Sequence, residues 1–391
     1  MIKGAEFTKA LAALGHDVEV LTSFPNYPTG KLYPGYNLSL HQHEFLDGTS
    51  IHRVWCYLSH DTSSIRRIFN YLTFFLSASI YATFFARAFD VIYTYPPITV
   101  SLAGAVAGFF RRKPYVVDIQ DLWPDSVITT GMRGTKRLEG ILSVLCNFAY
   151  RRAARIIPQS DGIRERLIER GVTSAKIDVI YNWADEQAAM ASGRCDLSPY
   201  GFEGRFTFVY GGNLGRVQGL DTLVRAAHLA RQRAPQIQLL LIGDGIESEK
   251  LKAQVKDLGV TNVRIEPGVP KTMIGDIFAA ADVLVLHLWN NPLFEITIPQ
   301  KTQFYMAMGK PVLVGVMGEA ADFVIRAGAG RAVPPEDPEA MADAMVEMAG
   351  APAEVLAQMG RNGRTAYLRD FSFASAIAAT DQVLNKVVSS R

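Results

Sequence analysis

Cysteine is scarce in this chain: 391 residues carry three, Cys56, Cys146 and Cys195, widely spaced and with no CxxC or Cys/His cluster. That excludes a disulfide framework, gives no zinc signature and fits a reducing compartment. A charge excess is also missing. Forty Lys and Arg against 38 Asp and Glu leave +2, so no chain-wide field draws in nucleic acid, and any bound anion must be caught by a local arrangement. No period of 20 to 50 residues recurs, which excludes a solenoid. Glycine (32) and proline (19) are near ordinary usage, so the chain is neither collagen-like nor disordered. No secretory signal is read at the amino terminus, because Met1-Ile-Lys-Gly-Ala-Glu-Phe runs straight into an amphipathic helix.

Two charge-free stretches approach the length that spans a bilayer, Ile68 to Ala86 (19 residues) and Val91 to Phe110 (20 residues). Tyr95-Pro96-Pro97 breaks the second into a strand and a 13-residue small-residue helix, too short to span. The first mixes Phe69, Tyr71, Phe74, Phe75, Tyr81, Phe84 and Phe85 with polar residues and is flanked by Arg66, Arg67 and Arg87. Aromatics beside cations suit a helix lying at a membrane surface. An ordinary helix packed on a sheet fits the same residues.

The length and the 49% hydrophobic content predict two domains, each with its own core. Up to Asn182, strand-like runs such as Val18–Thr22, Ile51–Trp55, Val91–Tyr95, Tyr115–Asp118, Arg155–Ile157 and Ile177–Ile180 alternate with helical patterns, as in βαβ units. Residues 183 to 204 lose periodicity and read as a linker, with the boundary near Pro199. The alternation then restarts with Phe206–Tyr210, Ile237–Ile242, Val263–Ile265, Val283–Leu286, Pro311–Val316 and Ala332-Val333. The fold class expected is α/β, two Rossmann-like doubly wound domains facing one another across an interdomain cleft. The divisions expected are residues 1–198, residues 199–371 and a carboxyl-terminal helix in 372–391 that packs back toward the first domain. A doubly wound domain usually opens with a strand, whereas this chain opens in a helix from Lys3 to Leu14. The first strand is therefore expected to be missing, leaving a sheet edge or an internal gap.

Tyr210-Gly-Gly-Asn-Leu-Gly-Arg-Val-Gln-Gly219 follows a strand and leads into a helix whose apolar face runs through Leu220, Leu223, Val224 and Ala227. Free N–H groups and the positive helix end favour an anion there, Gly212 and Gly215 allow close approach, and Arg216 supplies a full charge. A tight strand-to-helix turn is the plain alternative. Gly243-Asp244-Gly245 ends another strand of the same domain, where its backbone could touch a nucleotide or simply turn. In the run from Asn290 to Val312, Glu295 could accept sugar hydroxyls and Lys301 could neutralise phosphate ahead of a helix closed by Gly309.

Gly212-Asn-Leu-Gly-Arg-Val-Gln-Gly219, the run Pro299 to Pro311 and Gly318-Glu-Ala-Ala-Asp322 with Ala327-Gly-Ala-Gly330 resemble the nucleotide-binding half of a retaining, GT-B-fold glycosyltransferase of the GT4 type. Phe24-Pro25-Asn26 through Tyr36 and Asp118-Ile-Gln-Asp-Leu-Trp-Pro-Asp125 resemble the branch with the fucosamine and colanic-acid glycosyltransferases of bacterial surface polysaccharides. The resemblance implies a GT-B fold with a nucleotide-sugar site of Gly212, Asn213, Gly215, Arg216, Gln218, Gly243, Asp244, Gly245, Glu295, Thr297 and Lys301. It places Asp118 and Asp121 as catalytic-side carboxylates, with Asp121 orienting the acceptor hydroxyl and Glu295 near the sugar. The departures are equally specific. Phe304 stands where the family's ribose-binding Glu would be, and Asn213 and Gln218 stand at the usual phosphate-binding Arg and Lys. Gln120 replaces a frequent His. Arg216 and Lys301 are the expected substitutes.

The activity implied is transfer of a hexose, of the N-acetylated deoxy type, from a UDP-sugar to a polyprenyl-diphosphate-linked glycan with retention. No cofactor and no divalent metal are expected. Peripheral attachment to the cytoplasmic face of the membrane is expected through Arg66, Arg67, Arg87, Arg111, Arg112 and Lys113, at about 1 kcal/mol per cation near an anionic surface. A UDP-sugar 2-epimerase, or an inactive nucleotide-binding partner subunit, would share the two-domain plan. No oligomeric state can be read.

Overall fold

A computed structural model describes residues 4–26, 30–59, 64–126, 136–190, 196, 200 and 204–390. The chain forms two compact units, Lys3–Ile180 with Ile377–Arg391, and Tyr181–Ala376.

In the first unit the order is α1 (Ala5–Ala13), β1 (Glu19–Thr22), β2 (His41–Leu46), β3 (Thr49–Val54), α2 (Ser64–Phe84), β4 (Ile92–Thr94), α3 (Ile98–Arg111), β5 (Tyr115–Ile119), α4 (Lys136–Arg152), β6 (Arg155–Pro158) and α5 (Asp161–Glu169). The strands form two separate three-stranded sheets, β1-β3-β2 and β4-β5-β6. All pairs are parallel except β2–β3. The β2–β3 hairpin was absent from the sequence reading. Its turn, Asp47-Gly48 with both φ positive, is the Asp-Gly signal that would have marked it. Ile177–Ile180 was read as a strand and forms only an isolated bridge, Ile177 beside Ile156.

The second unit runs α6 (Glu186–Met190), β7 (Phe206–Gly211), α7 (Leu220–Arg233), β8 (Ile237–Ile242), α8 (Ser248–Asp257), β9 (Val263–Glu266), α9 (Lys271–Ala280) and β10 (Val283–His287). It continues through α10 (Pro292–Glu295), α11 (Gln300–Ala307), β11 (Val312–Gly315), α12 (Glu319–Arg326), β12 (Gly330–Val333), α13 (Pro338–Ala349) and α14 (Ala353–Asp370). Its six strands make one parallel sheet ordered β12-β11-β10-β7-β8-β9. Alternate residues serve opposite faces, as a pleated strand covered on both sides requires. Leu240, Ile242, Leu284, Leu286, Val312 and Val314 join one core. Leu239, Leu241, Val283, Val285 and Leu313 join the other.

The domain boundary lies at Ile180, ahead of the expected 198, and Pro199 itself is outside the described residues. The reason is local packing. Tyr181 meets the rings of Phe323 and Phe371 at 5.3 and 5.1 Å, and Trp183 meets Phe373 at 5.1 Å. The Tyr367 hydroxyl accepts the Ala184 N–H at 3.1 Å and donates to Glu186 at 2.8 Å, and Glu186 also accepts the Phe373 N–H. This segment therefore belongs to the second unit. The last helix, α15 (Phe373–Ser389), contributes from Ile377 onward to the first unit, where Asp381 meets the His16 ring at 2.7 Å.

Helix α2 is packed on one face and exposes an apolar stripe on the other. Ala78, Ser79 and Thr83 are buried, while Ile65, Phe69, Leu72, Leu76, Ile80 and Phe84 form an exposed stripe at three- and four-residue spacing. No helix among the described residues is long and apolar enough to cross a membrane. Arg111, expected to face lipid, instead donates to the carbonyls of Thr83, Ala86 and Arg87 at 3.0–3.2 Å. It closes the carboxyl end of α2, where unpaired carbonyls need a donor. Lys113 pairs with Asp90 at 3.3 Å and Arg87 with Asp17 at 3.7 Å.

Replacing Tyr367 with Phe leaves the Ala184 N–H and the Glu186 carboxylate each short of a partner. A loss of about 1–3 kcal/mol is expected in denaturant unfolding of the second unit.

Candidate functional site

The chain leaves β7 outward through β8 and β9, crosses back to β10, and continues outward through β11 and β12, so strand order reverses between β7 and β10. The crevice beyond the carboxyl ends of strands at such a reversal is where open α/β sheets bind ligands. The loops following β7 and β10 flank it.

The loop after β7 is built on the loop after β8 by backbone contact. The Gly212 N–H donates to Ile242 O and the Leu214 N–H to Asp244 O, both at 2.8 Å, and the Glu247 N–H returns to Leu214 O at 3.0 Å. A Cβ on Gly243, whose φ is +152°, would stand 1.7 Å from Gly212 O, and one on Gly245 would stand 2.2 Å from Leu214 O. These two glycines were expected to face a nucleotide. The structure sets them against the neighbouring loop, where two backbones this close leave no room for a side chain. Asp244 is exposed and its carboxylate accepts the Gly268 N–H at 3.3 Å.

Beyond Leu214 the chain makes a single 3₁₀ turn, Arg216–Gln218, and α7 begins at Leu220, directly after the glycine loop as the sequence reading placed it. Gln218 Oε1 accepts the Gly215 N–H at 3.1 Å, which commits this side chain to shaping the loop. His287, at the end of β10, holds the same turn. Its Nδ1 lies 2.8 Å from Gln218 O and its Nε2 3.0 Å from the Glu336 nitrogen. Burial lowers its pKa, so the neutral ring donates from Nδ1 and accepts at Nε2. Sequence reasoning missed this residue; its only mark is a histidine closing an apolar strand beside the reversal.

Lys301 sits in the first turn of α11 and reaches the glycine loop. A Cβ on Gly212, whose φ is +134°, would stand 2.7 Å from both Lys301 Cε and Nζ. The Nζ lies 5.1 Å from the centre of the buried Tyr210 ring, a cation–π contact. Among the described residues no acidic side chain forms an ion pair with it. Burial pushes its pKa down to about 8. Arg216 behaves differently: it is exposed, with Nε 3.4 Å from Glu247. The two expected phosphate ligands therefore do not share a target in this state.

The remaining residues divide in the same way. Asn213 is exposed, and its carbonyl accepts the Tyr210 hydroxyl at 2.8 Å. Glu295 is exposed at the end of α10, its backbone fixed against Gly318, where a Cβ would stand 2.1 Å from Glu295 O. The Thr297 hydroxyl donates to Leu293 O at 3.0 Å and serves the local turn. Phe304 packs against Phe278, ring centres 5.8 Å apart, as an apolar core contact.

With this geometry in view, two family models cover the chain: a "Glycosyl transferase 4-like domain" over residues 5–183 and "Glycosyl transferases group 1" over residues 205–350. The chain belongs to the GT4-type, GT-B-fold glycosyltransferase family. It is 26% identical over 260 residues to WbjE of Pseudomonas aeruginosa, named as a probable glycosyltransferase, covering 62% of this chain and 64% of that one. It is 24% identical over 280 residues to WcaI of Escherichia coli (strain K12), named for colanic acid biosynthesis, covering 67% and 66%. The matched region thus spans about two thirds of the length of these relatives. Among solved structures, Anabaena Alr3699/HepE in complex with UDP and glucose superposes with a TM-score of 0.64 at 20% identity, covering 88% of this chain and 87% of that one.

In this GT4-type chain the first-unit carboxylates are not equivalent. Asp118 is buried within β5, where Tyr93 and Gln120 donate to it, Gln120 at 2.6 Å. Burial and the neighbouring carboxylate push the Tyr93 phenol well above its ordinary pKa and keep it a donor. Asp118 was expected beside the sugar; it is instead a carboxylate enclosed by its own sheet. Asp121 lies past the end of β5 with an accessible side chain, and desolvation raises its pKa. Tyr27, Pro28 and Thr29 of the amino-terminal motif lie outside the described residues. No group of three or more His, Cys, Asp or Glu among the described residues is arranged to hold a metal ion.

Two outcomes are expected. Gly243→Ala cannot keep the loop contact and should destabilise the second unit by about 2 kcal/mol or more, read by thermal unfolding. Lys301 loses its charge as pH rises through about 8, so UDP measured by calorimetry should bind more weakly at pH 9.5 than at pH 7, with proton uptake on binding near pH 8. Lys301→Met should remove that pH dependence.

Proposed function

We propose that this protein transfers a hexose from a UDP-sugar, with retention, to a lipid-linked glycan in bacterial surface polysaccharide synthesis. The observation that carries this reading is the convergence of a desolvated Lys301, with no ion-pair partner among the described residues, on Gly212 at the strand reversal of the second unit. A cation held there without a counter-ion gains most from an anion, and a pyrophosphate supplies one. UDP and glucose are present in the Anabaena HepE structure, and WcaI carries colanic acid biosynthesis in its name; both support the reading.

In a same-face transfer the departing diphosphate oxygen takes the acceptor proton as the sugar moves, so no protein nucleophile is needed. The chain has to stabilise charge growing on that oxygen and keep two substrates in register. Lys301 and the amides of the glycine loop do the first. Arg216 adds to it on leaving Glu247. Asp121, accessible and with a raised pKa, orients the acceptor hydroxyl. Divalent metal is not required.

The lipid-linked acceptor is supported by the apolar stripe of α2, continued by Phe109 and Phe110 at the end of α3 and by Ile141, Val144 and Phe148 on α4, all exposed. Arg111 draws the aromatic ends of α2 and α3 together. Exposed apolar patches of this extent mark an interaction surface, and aromatic residues at a helix surface suit the headgroup boundary. The protein accordingly works at the inner face of the plasma membrane.

The test incubates UDP- and GDP-sugars with polyprenyl-diphosphate glycans, with and without EDTA. Product from a UDP-sugar, unaffected by EDTA and lost at least about 100-fold in Lys301→Met, is expected. Conversion of a UDP-sugar without acceptor would replace transfer by epimerisation. Phe84→Ser with Phe109→Ser should lower sedimentation with phosphatidylglycerol vesicles at least about tenfold, and unchanged sedimentation would remove the membrane from the proposal.

A further inference from the structure

Of the two site carboxylates in the first unit, Asp121 is the accessible one, and no hydrogen bond or ion pair engages it among the described residues. The residues around it are all tied down. The Gln120 carbonyl accepts the side-chain amide of Gln159, and the Gln120 side chain donates back to Asp118 at 2.6 Å. Leu122 is fully buried, and its carbonyl accepts the Ser126 N–H at 2.9 Å. The Trp123 backbone is hydrogen-bonded to the buried Tyr150 phenol, and the Trp123 ring meets Tyr71 of α2 edge-on with centres 5.9 Å apart. A free carboxylate thus stands on a braced backbone.

The far side of this loop is held by Arg170, which caps the carboxyl end of α5, 45 residues beyond Asp125 in the sequence. Its Nη1 donates to the Trp123 carbonyl at 2.9 Å, and its Nη2 donates to the Asp125 carboxylate. Only 18% of the Arg170 side chain is exposed, so the charge-assisted bond is partly shielded from water. Arg170 is itself anchored, since its carbonyl accepts Arg151 Nη2 at 3.1 Å. A guanidinium suits this task because its donors lie in one rigid plane and can take a carbonyl and a carboxylate together. Nothing in the local sequence marks the residue.

We propose that Arg170 is a positioning residue for glycosyl transfer: by bracing Trp123 and Asp125 from α5, it holds residues 120–125 in the arrangement that presents Asp121 to the acceptor hydroxyl. This rests on the role given to Asp121 above. A misplacement of about 1 Å at a reacting group costs on the order of 100-fold in rate, so a brace that never touches substrate still governs turnover. Donor capture is independent of it, because Lys301 and the glycine loop belong to the second unit.

The experiment compares the full chain with Arg170→Gln, Arg170→Lys, Asp121→Asn and the double variant Asp121→Asn with Arg170→Gln. Each is assayed with the UDP-sugar and polyprenyl-diphosphate glycan that give product in the screen above, alongside UDP calorimetry and hydrogen exchange of the segment holding residues 120–126. Arg170→Gln should lower kcat at least about tenfold and speed exchange in that segment, with donor KM and UDP affinity held within about twofold. Arg170→Lys, with one point charge in place of a fork, should fall between. In the Asp121→Asn background, Arg170→Gln should cost less than about twofold more, because the brace then has no carboxylate to align. Should Arg170→Gln fail to fold, Asp125→Asn weakens the same brace with Arg170 in place and should show the same non-additivity. Losses that multiply in the double variant, unchanged exchange, or faster exchange without loss of kcat would each overturn the role of Arg170 and leave that of Asp121 standing. Full turnover in Asp121→Asn, or no transfer by the unaltered chain, would instead overturn the reading of Asp121 and this proposal with it.

Discussion

The arrangement of the candidate site depends on one contact, the stacking of the backbone at residues 212–214 on the backbone at 243–245. Two loops leaving adjacent parallel strands at the same end have little room, and hydrogen bonds between their main chains replace side-chain packing. The positions at which Gly243 and Gly245 occur are those at which any Cβ would strike the partner carbonyl. With that contact made, the turn at Arg216–Gln218 is fixed from the other side by the His287 ring. The loop amides are then held before any ligand arrives, which lowers the cost of ordering them on binding.

That rigidity gives Lys301 its character. A lysine at the surface would keep its solvent and its ordinary pKa. Enclosed between Tyr210 and Gly212, it carries its charge at neutral pH against a desolvation penalty that no carboxylate among the described residues offsets. Arg216 is the opposite case, an exposed cation already paired with Glu247. With a net charge of only +2, the chain has no long-range field to concentrate an anion, and local preorganisation takes that role.

The first unit solves a different problem. Its helices cover the sheets, with every residue of β5 buried, and leave apolar stripes outward on α2 and α4. Cations near those stripes are partly spent on structure, since Arg111 closes α2 and Lys113 meets Asp90. Aromatic and aliphatic area, more than charge, characterises this surface.

Much of this was legible in sequence. Alternating apolar runs located eleven of the twelve strands described above in chain order, and the motif order carried the family, because local periodicity and turn chemistry are short-range properties. The β2–β3 hairpin escaped because its strand alternates charged and aromatic residues without an apolar face, leaving only Asp47-Gly48 to mark it. Residues 181–190 escaped as part of the second unit because ring packing against Phe323, Phe371 and Phe373 is long-range. Roles within the site were decided by tertiary structure alone: which glycines face a loop, which carboxylate is enclosed, which cation is stripped of water. Sequence supplied each group's chemistry; whether that group meets solvent, its own backbone or a ligand depends on chain segments far away in the sequence, brought near only when the sheet closes.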